Sequence, residues 1–340
     1  MAMANAFYQY RTTLSSKNET SGEESSEEES AEGESSDEES SEECLESFRR
    51  FFREDVTVFQ LYKRQVREIK KLHGIRTSES IEAVFSMIRT ISKGHKHSFQ
   101  RFSGLDFNEP RNRCAYLLRY ATCHTGLVRK AMWNIFQREL LFVDKLKNKD
   151  ELNIVSLGGG PGNDILGFCS ALQEFSNCVT SFDFTVVDIK DGWSGILDSL
   201  IQKTKSSEFE SLSFSKMFKN VNVSSSFILA DLIDKRISEN EDLTNALNAA
   251  DVVLMVKLTS FHSTKAKSQI VTNVCEAMRK RCILVFIDCP YPKECFQSVS
   301  CVRKIYKKKL KYQFDSSSCP VSKILNIKKS RATVAVFVKV

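Results

Sequence analysis

Residues 153–168 read NIVSLGGGPGNDILGF. An apolar run ends at Leu157, a triple glycine follows, and an amphipathic stretch opens near Asn163. The expected local structure is strand, tight turn, helix. Glycine lets a backbone adopt φ > 0 and lets a ligand approach with no Cβ in the way. A helix N-terminus adds unpaired amides and a partial positive charge. The segment therefore reads as a cradle for a nucleotide-type ligand, in the strand-before, helix-after context such a turn needs. A dinucleotide fingerprint would place glycine at 163, where Asn163 stands, and no Gly-Lys-Ser/Thr ending marks a phosphate loop. The pattern present is G-x-G-x-G, at Gly158, Gly160 and Gly162, with Gly159 between them.

Outward from this turn, apolar strands alternate with amphipathic helices. Strands are expected at 152–157, 183–188, 226–230, 251–257 and 282–288. Helices fit 163–175, 192–203, 239–248 and 264–279. Such alternation is the signature of an α/β doubly wound parallel sheet. The end differs: KIYKKKLKYQFD (304–315) and RATVAVFVKV (331–340) read as two strands with no helix between them. They predict an antiparallel pair closing the sheet edge. The whole is a seven-stranded, mostly parallel sheet with an antiparallel last strand.

The motif order resembles that of the class I, Rossmann-like S-adenosyl-L-methionine (SAM) methyltransferases over about residues 110–340. The strand FTVVD ends in Asp188, whose carboxylate can accept both ribose hydroxyls of a nucleoside. The resemblance makes Asp188 and its neighbour Ile189 cofactor contacts, beside Gly158, Gly159, Gly160 and Gly162. At the next tip, ILAD, it gives Asp231 the adenine amino group and Leu232 the flank of the ring. Asp231 equally suits a cap on the segment that follows. The fourth strand, ADVVLMVKLTSF, delivers Lys257 to the pocket mouth. One departure is Ser156, where many members carry an acid two residues before the first glycine. Contact to the methionine ammonium then falls to a backbone carbonyl near Gly158 or to Asp164. The Asn/Asp-Pro-Pro-Tyr/Phe motif of exocyclic-amine methylation is absent after the fourth strand, which reads Lys257-Leu-Thr-Ser260. Asp288-Cys-Pro-Tyr291 is only a partial echo of it.

A narrower resemblance joins GGGPGND to DIKDGWSGIL (188–197) and the preceding RCAYLLRYATCHTGL (113–127). Together they are similar to a fungal ribosomal-RNA uridine-N3 methyltransferase group. This implies RNA as substrate. The candidates for a base are His124, Lys257, His262 and Asp288. Spacing privileges none of them, so no catalytic residue is assigned. Tyr116, Arg119 and Tyr120 are expected to pack or to line the pocket.

Charge gives RNA a second, independent argument. The 340 residues carry a net +6, yet Glu19 to Glu46 holds fourteen acids and no Lys or Arg. The remaining chain has twenty-nine acids against forty-nine bases, a charge of +20. A body this basic suits a polyanionic partner. The expected contacts are the basic faces at 49–71 and 303–311. Residues 1–43 are expected to be a disordered Ser/Glu-rich tail, with basic proteins as its possible partners. A helical region follows over 44–110, with helices at 45–74, stopped by Gly74, and from Ser78 to about Ser92. The methyltransferase domain spans 111–340, beginning with a helical stretch at 113–146.

Eleven cysteines include no C-x-x-C pair and no zinc-finger spacing, so no metal site is expected. No apolar run nears the roughly 18–20 residues of a membrane span, and the first residues lack a secretory pattern. Nuclear or cytoplasmic residence is the expectation. The same cofactor site would also serve a protein methyltransferase, or an inactive SAM-binding scaffold.

Overall fold

The computed structural model describes residues 35–75, 106–147, 149–173, 175, 179–234, 237–289, 291, 293–314 and 329–340. Most of the acidic tail, and the helix expected from Ser78, lie outside the described residues. The chain divides into two compact units, Met1–Phe51 and Phe52–Val340. Of the first, the described part is the beginning of helix α1, Ser35–Leu72. Gly74 stops that helix at φ +62°. The Ile75 amide then reaches back to the Lys70 carbonyl at 2.9 Å, the closing bond of a Schellman turn.

Phe52–Val340 is a three-layer α/β unit. After α1 come α2 (Pro110–Tyr116), a π-helical turn (Leu117–Ala121), α3 (Thr122–Arg138) and α4 (Leu140–Lys147). The alternating part follows as β1 (Glu151–Leu157), α5 (Asn163–Leu172), β2 (Ser181–Asp188), α6 (Ile196–Thr204), α7 (Ser213–Asn220) and β3 (Asn222–Leu229). It continues with α8 (Glu241–Ala249), β4 (Val252–Val256), α9 (Thr264–Ala277), β5 (Ile283–Asp288), α10 (Lys293–Gln297), β6 (Val302–Gln313) and β7 (Lys329–Lys339).

The seven strands lie in the order β3-β2-β1-β4-β5-β7-β6. The first five are parallel, and β7 runs antiparallel to both β5 and β6. The expected sheet is thus the observed one. Two short helices, α7 and α10, were not visible in the periodicity. Strand β3 begins at Asn222 rather than 226, because its first half is polar and only partly covered. Among the described residues no helix is long and apolar enough to cross a membrane.

Side chains of each strand alternate between two cores, as a period of two requires. Ile154, Phe184, Leu254 and Val285 face one layer, which also takes α1, α3, α5 and α6. Val155, Val187, Val253 and Phe286 face the other, with α8, α9 and α10. The first layer is tied together by a buried ionic knot. Arg129 on α3, fully buried, donates to Glu54 at 2.9 Å and to Asp55 at 2.6 Å, both on α1. Glu54 also accepts from the Ser170 hydroxyl at 2.9 Å and the Ser213 amide at 2.7 Å, and Tyr312 on β6 donates to Asp55. Five elements meet there. Removing one partner of a buried pair strands the other, at a cost of about 3–5 kcal/mol. Arg129→Ala should lower the unfolding free energy by that amount in urea titrations. A loss under 1 kcal/mol would show that the knot contributes nothing to stability.

Candidate functional site

The chain leaves β1 toward β2 on one side and returns to β4 on the other. Open α/β sheets bind ligands at the carboxyl ends of the strands where the order reverses in this way. The glycine turn lies at that point. Gly158 and Gly159 donate their amides to the Val187 carbonyl at 2.8 and 3.3 Å, and Gly160 donates to the Asp188 carboxylate at 3.1 Å. The turn is therefore sewn to the tip of β2. Gly160 (φ +50°) and Gly162 (φ +77°) hold left-handed backbone. A side chain at Gly160 would also stand over the Trp193 indole, 3.6 Å away.

Asp188 is half-buried, and its second oxygen accepts the Lys190 amide at 2.9 Å. Burial raises its pKa and these amides oppose the rise. Each carboxylate oxygen still has a lone pair to offer. Around this anchor, Ile189 is 56% exposed and Leu229, paired in register with Asp188, is 55% exposed. Large apolar side chains left open at two neighbouring strand tips are a platform for a flat ligand. Asp231 is exposed too, though one oxygen takes the Ile233 amide of its own turn at 2.9 Å. Leu232 is different. Its side chain is buried in the second core, so the open apolar group at this tip is Leu229, which sequence reading passed over.

Asp164 lies beneath the turn, 2% exposed. The Ser156 hydroxyl donates to it at 2.5 Å and the Ile165 amide at 3.0 Å. Burial pushes its carboxyl up to about 6, against both hydrogen bonds. Among the described residues no cation pairs with it. The serine at the departing position thus holds an acid that arrives from α5 instead of β1.

A clamp closes over the segment after β2. Asn108 accepts the Gly192 amide at 3.0 Å, and Arg113 donates to the Phe107 and Asn108 carbonyls at 2.9 and 2.8 Å. Lys190 pairs with Asp106 at 3.2 Å. Phe107 and Tyr116 pack on Trp193 with centroids 5.3 and 5.5 Å apart. Nothing in the sequence announced these contacts, which join positions some eighty residues apart.

The remaining candidates separate by environment. Asp288 is fully buried and accepts from Thr259 (3.0 Å) and from the amides of Ser260 (2.8 Å) and Cys289 (2.7 Å), so it anchors the turn after β4. His262 is half-buried, near Asp231, with its pKa lowered by burial. Lys257 takes φ +54°, strained for a residue with a Cβ, and donates its ammonium to the Arg331 carbonyl at 2.6 Å. Burial lowers its pKa. Burial, then the Lys257 charge, brings His124 down to about 3.

The family profile described as "Putative SAM-dependent methyltransferase" matches residues 76–308. The chain belongs to this family. It is a SAM-dependent methyltransferase, as the motif order implied. No curated protein matches the sequence. Among solved structures it is similar to magnesium protoporphyrin IX methyltransferase of Synechocystis PCC 6803 with bound SAM. Identity is 10%, over 65% of this chain and 84% of that one, with a TM-score of 0.38. It is also similar to a SAM-dependent methyltransferase of Methanosarcina mazei, at 13% identity over 59% and 97%, TM-score 0.36. A third is precorrin-6y C5,15-methyltransferase of Geobacter metallireducens, at 11% over 59% and 87%, TM-score 0.34.

The residues present fit SAM. An acid without a cation lies under the glycine turn, where a methionine ammonium would relieve it. A carboxylate with spare lone pairs stands at the tip of β2, beside an open apolar platform. A raised carboxyl pKa has a sign. Between about pH 4 and 6 the folded chain keeps the Asp164 proton that the unfolded chain has lost, so stability falls as pH rises through that window. The size is about 3 kcal/mol from a shift of about two pKa units. Asp164→Asn should remove that slope. Urea titrations at pH 4 and 7 should show the wild-type stability falling relative to the variant by about that amount; a constant difference would mean the carboxyl is not perturbed.

Proposed function

We propose that this methyltransferase acts on RNA. In this reading Asp188 holds the ribose of SAM, Ile189 and Leu229 flank the adenine with Asp231 at its edge, and Asp164 meets the ammonium. The backbone of Gly158, Gly159, Gly160 and Gly162 passes close to the ligand. SAM supplies an electrophilic methyl group on a sulfonium. The chain's own part is to hold the acceptor in line with it, and orientation of that kind supplies several kcal/mol, within the ~7–11 known for well-oriented reactions.

The observation that carries RNA over other acceptors is a cationic strip beside the site. Along β6, Lys307, Lys309 and Lys311 are exposed, and Lys311 lies opposite Arg331 on β7. Lys329 is opposite Gln313. Among the described residues no carboxylate pairs with any of these five. Strand β6 runs in the same direction as β5, so Lys309 and Lys311 approach the carboxyl end of the sheet. The Lys257 ammonium on the Arg331 carbonyl joins this strip to the tip of β4. A row of cations without carboxylate partners that leads toward the candidate site suits a phosphodiester chain. The likeness of GGGPGND, DIKDGWSGIL and RCAYLLRYATCHTGL to the fungal ribosomal-RNA group supports the same reading. Basic residues on an edge strand also block edge-to-edge pairing, which would explain them without RNA. The lysines continue to the carboxyl end of the sheet, where an RNA substrate would meet them.

Incubation with methyl-labelled SAM and total cell extract should place label in the RNA fraction. Label in protein alone would overturn the proposal. Asp188→Ala should weaken SAM by more than tenfold in calorimetry while stability stays within about 1–2 kcal/mol. An unchanged dissociation constant would remove Asp188 from the cofactor site. The double variant Lys309→Glu, Lys311→Glu should weaken RNA binding and flatten its salt dependence by about 0.7–0.9 in slope per lost phosphate contact. Identical slopes would clear the strip of any role.

A further inference from the structure

Three features near the site are not used by the cofactor. One is the π-helical turn Leu117–Ala121 inside an otherwise α-helical run. Insertions of this kind are rare and gather at functional sites. The second is the aromatic row that runs through the turn. Tyr116, Tyr120 and His124 are all half-buried, with Tyr116 and Tyr120 centroids 5.8 Å apart, and Tyr120 and His124 also 5.8 Å apart at a tilt of 31°. The third is the strained backbone of Lys257. Strain at one residue persists where the surroundings fix it, and it clusters at working sites. Here the Lys257 amide is held by the Ile287 carbonyl at 2.9 Å, and Asp288 anchors the turn that follows.

These features meet. The Lys257 ammonium lies on the Arg331 carbonyl, Arg331 pairs with Lys311 on β6, and the next residue, Tyr312, lies against Gly126, two residues on from His124. Tyr116 donates its hydroxyl to the Asn163 side chain at 3.4 Å and touches His124 Nδ1 at 3.3 Å, which ties the row to the first residue of α5. Sheet order places Asp188, at the β2 tip, on one side of β1 and Lys257, at the β4 tip, on the other. The Lys257 ammonium is drawn further from β2, toward β7. Sequence reading made Lys257 a cofactor contact; its position suits the other reactant.

We propose that Tyr120 and His124 form the wall, and Lys257 the hydrogen-bond donor, of a pocket that takes the methyl acceptor as a single planar base turned out of an RNA strand. This rests on the RNA reading. Unstacked bases are held on Tyr and His rings and read along their edges. A neutral imidazole suits stacking and is too weakly basic to take the acceptor's proton at neutral pH. The ammonium spends one N–H on Arg331, which leaves two for a carbonyl on the edge of the base. The strip on β6 and β7 would then hold the phosphates of the flanking nucleotides.

The test uses the full chain with SAM and a total RNA preparation. Tyr120→Leu and Lys257→Met should each lower methyl incorporation into RNA at least thirtyfold. SAM affinity in calorimetry should stay within about twofold, and RNA affinity within about threefold, since phosphates dominate it. Tyr120→Phe, which keeps the ring, should recover incorporation to within threefold of wild type. Lys257→Arg, which keeps charge and donors, should recover at least a tenth. Wild-type incorporation by Tyr120→Leu would overturn the pocket while the RNA reading stands. Loss of SAM binding in Tyr120→Leu, or failure of Tyr120→Phe to recover, would also overturn it, as a purely structural role. Wild-type protein that labels no RNA would overturn the RNA reading, and the pocket with it.

Discussion

The hydrogen bond from the Gly160 amide to the Asp188 carboxylate is the constraint on which the site depends. It fixes the glycine turn to the tip of β2, and with the Lys190 amide on its other oxygen the carboxylate has one orientation. A group fixed before binding loses little freedom on binding, so more of each contact appears as affinity. The clamp at 106–113 depends on the same bond. It closes on Lys190, Gly192 and Trp193, and that segment is where it is because Asp188 holds its start.

On the proposed reading, the departure at Ser156 is met by a different residue. An acid on the strand would project from β1 directly. Here the first turn of α5 supplies it, and a serine hydroxyl on β1 receives it. Asp164 at a helix N-terminus gains from the helix dipole. Its burial costs more than this returns, which is why its pKa is raised. A group that is unfavourable in the free protein and relieved by a cationic ligand places part of the binding free energy in the protein's own electrostatics. Arg129 is the opposite case. Its charge is as deeply buried, but two carboxylates meet it, and the result is a fixed junction with no site.

How much of this was legible follows from how local each feature is. The glycine turn, the place of Asp188 at the tip of β2 and the closing strand pair come from contiguous residues whose pattern is itself the structure, and each lies where the sequence puts it. Strand β3 was shortened because Val223, Ser224, Ser225 and Ser226 give no apolar run. Its serines bond across to Asp183 and Thr185 on β2, which sequence order does not reveal. The π turn has no signal in composition, since Leu-Leu-Arg-Tyr-Ala is ordinary helix sequence. Leu229 and Leu232 are three residues apart in one strand-end motif, and only the exit angle of the chain decides which is buried. Ser156 read as a gap in the pattern because its partner comes from the next element.

Apart from Lys190, which pairs with Asp106, and Asp288, which is buried at the end of β5, charge is divided across the site in the same sense as the strand order. Asp188 and Asp231 stand at the tips of β2 and β3, with Asp164 under the turn beside them. Lys257, Lys309, Lys311 and Arg331 stand toward β4, β6 and β7. A cationic cofactor and a polyanionic substrate, on the proposed reading, are then each drawn to one half and repelled by the other. The two halves differ in kind. Asp164 is buried, so salt screens it little, whereas the lysines of β6 are exposed and act within a Debye length of roughly 8 Å at physiological salt. Cofactor capture should therefore hold across ionic strengths at which substrate capture fails, and the two affinities can be separated by salt alone. Such a separation requires the acid to be inside and the cations outside, as Asp164 under the turn and Lys309 and Lys311 on β6 are.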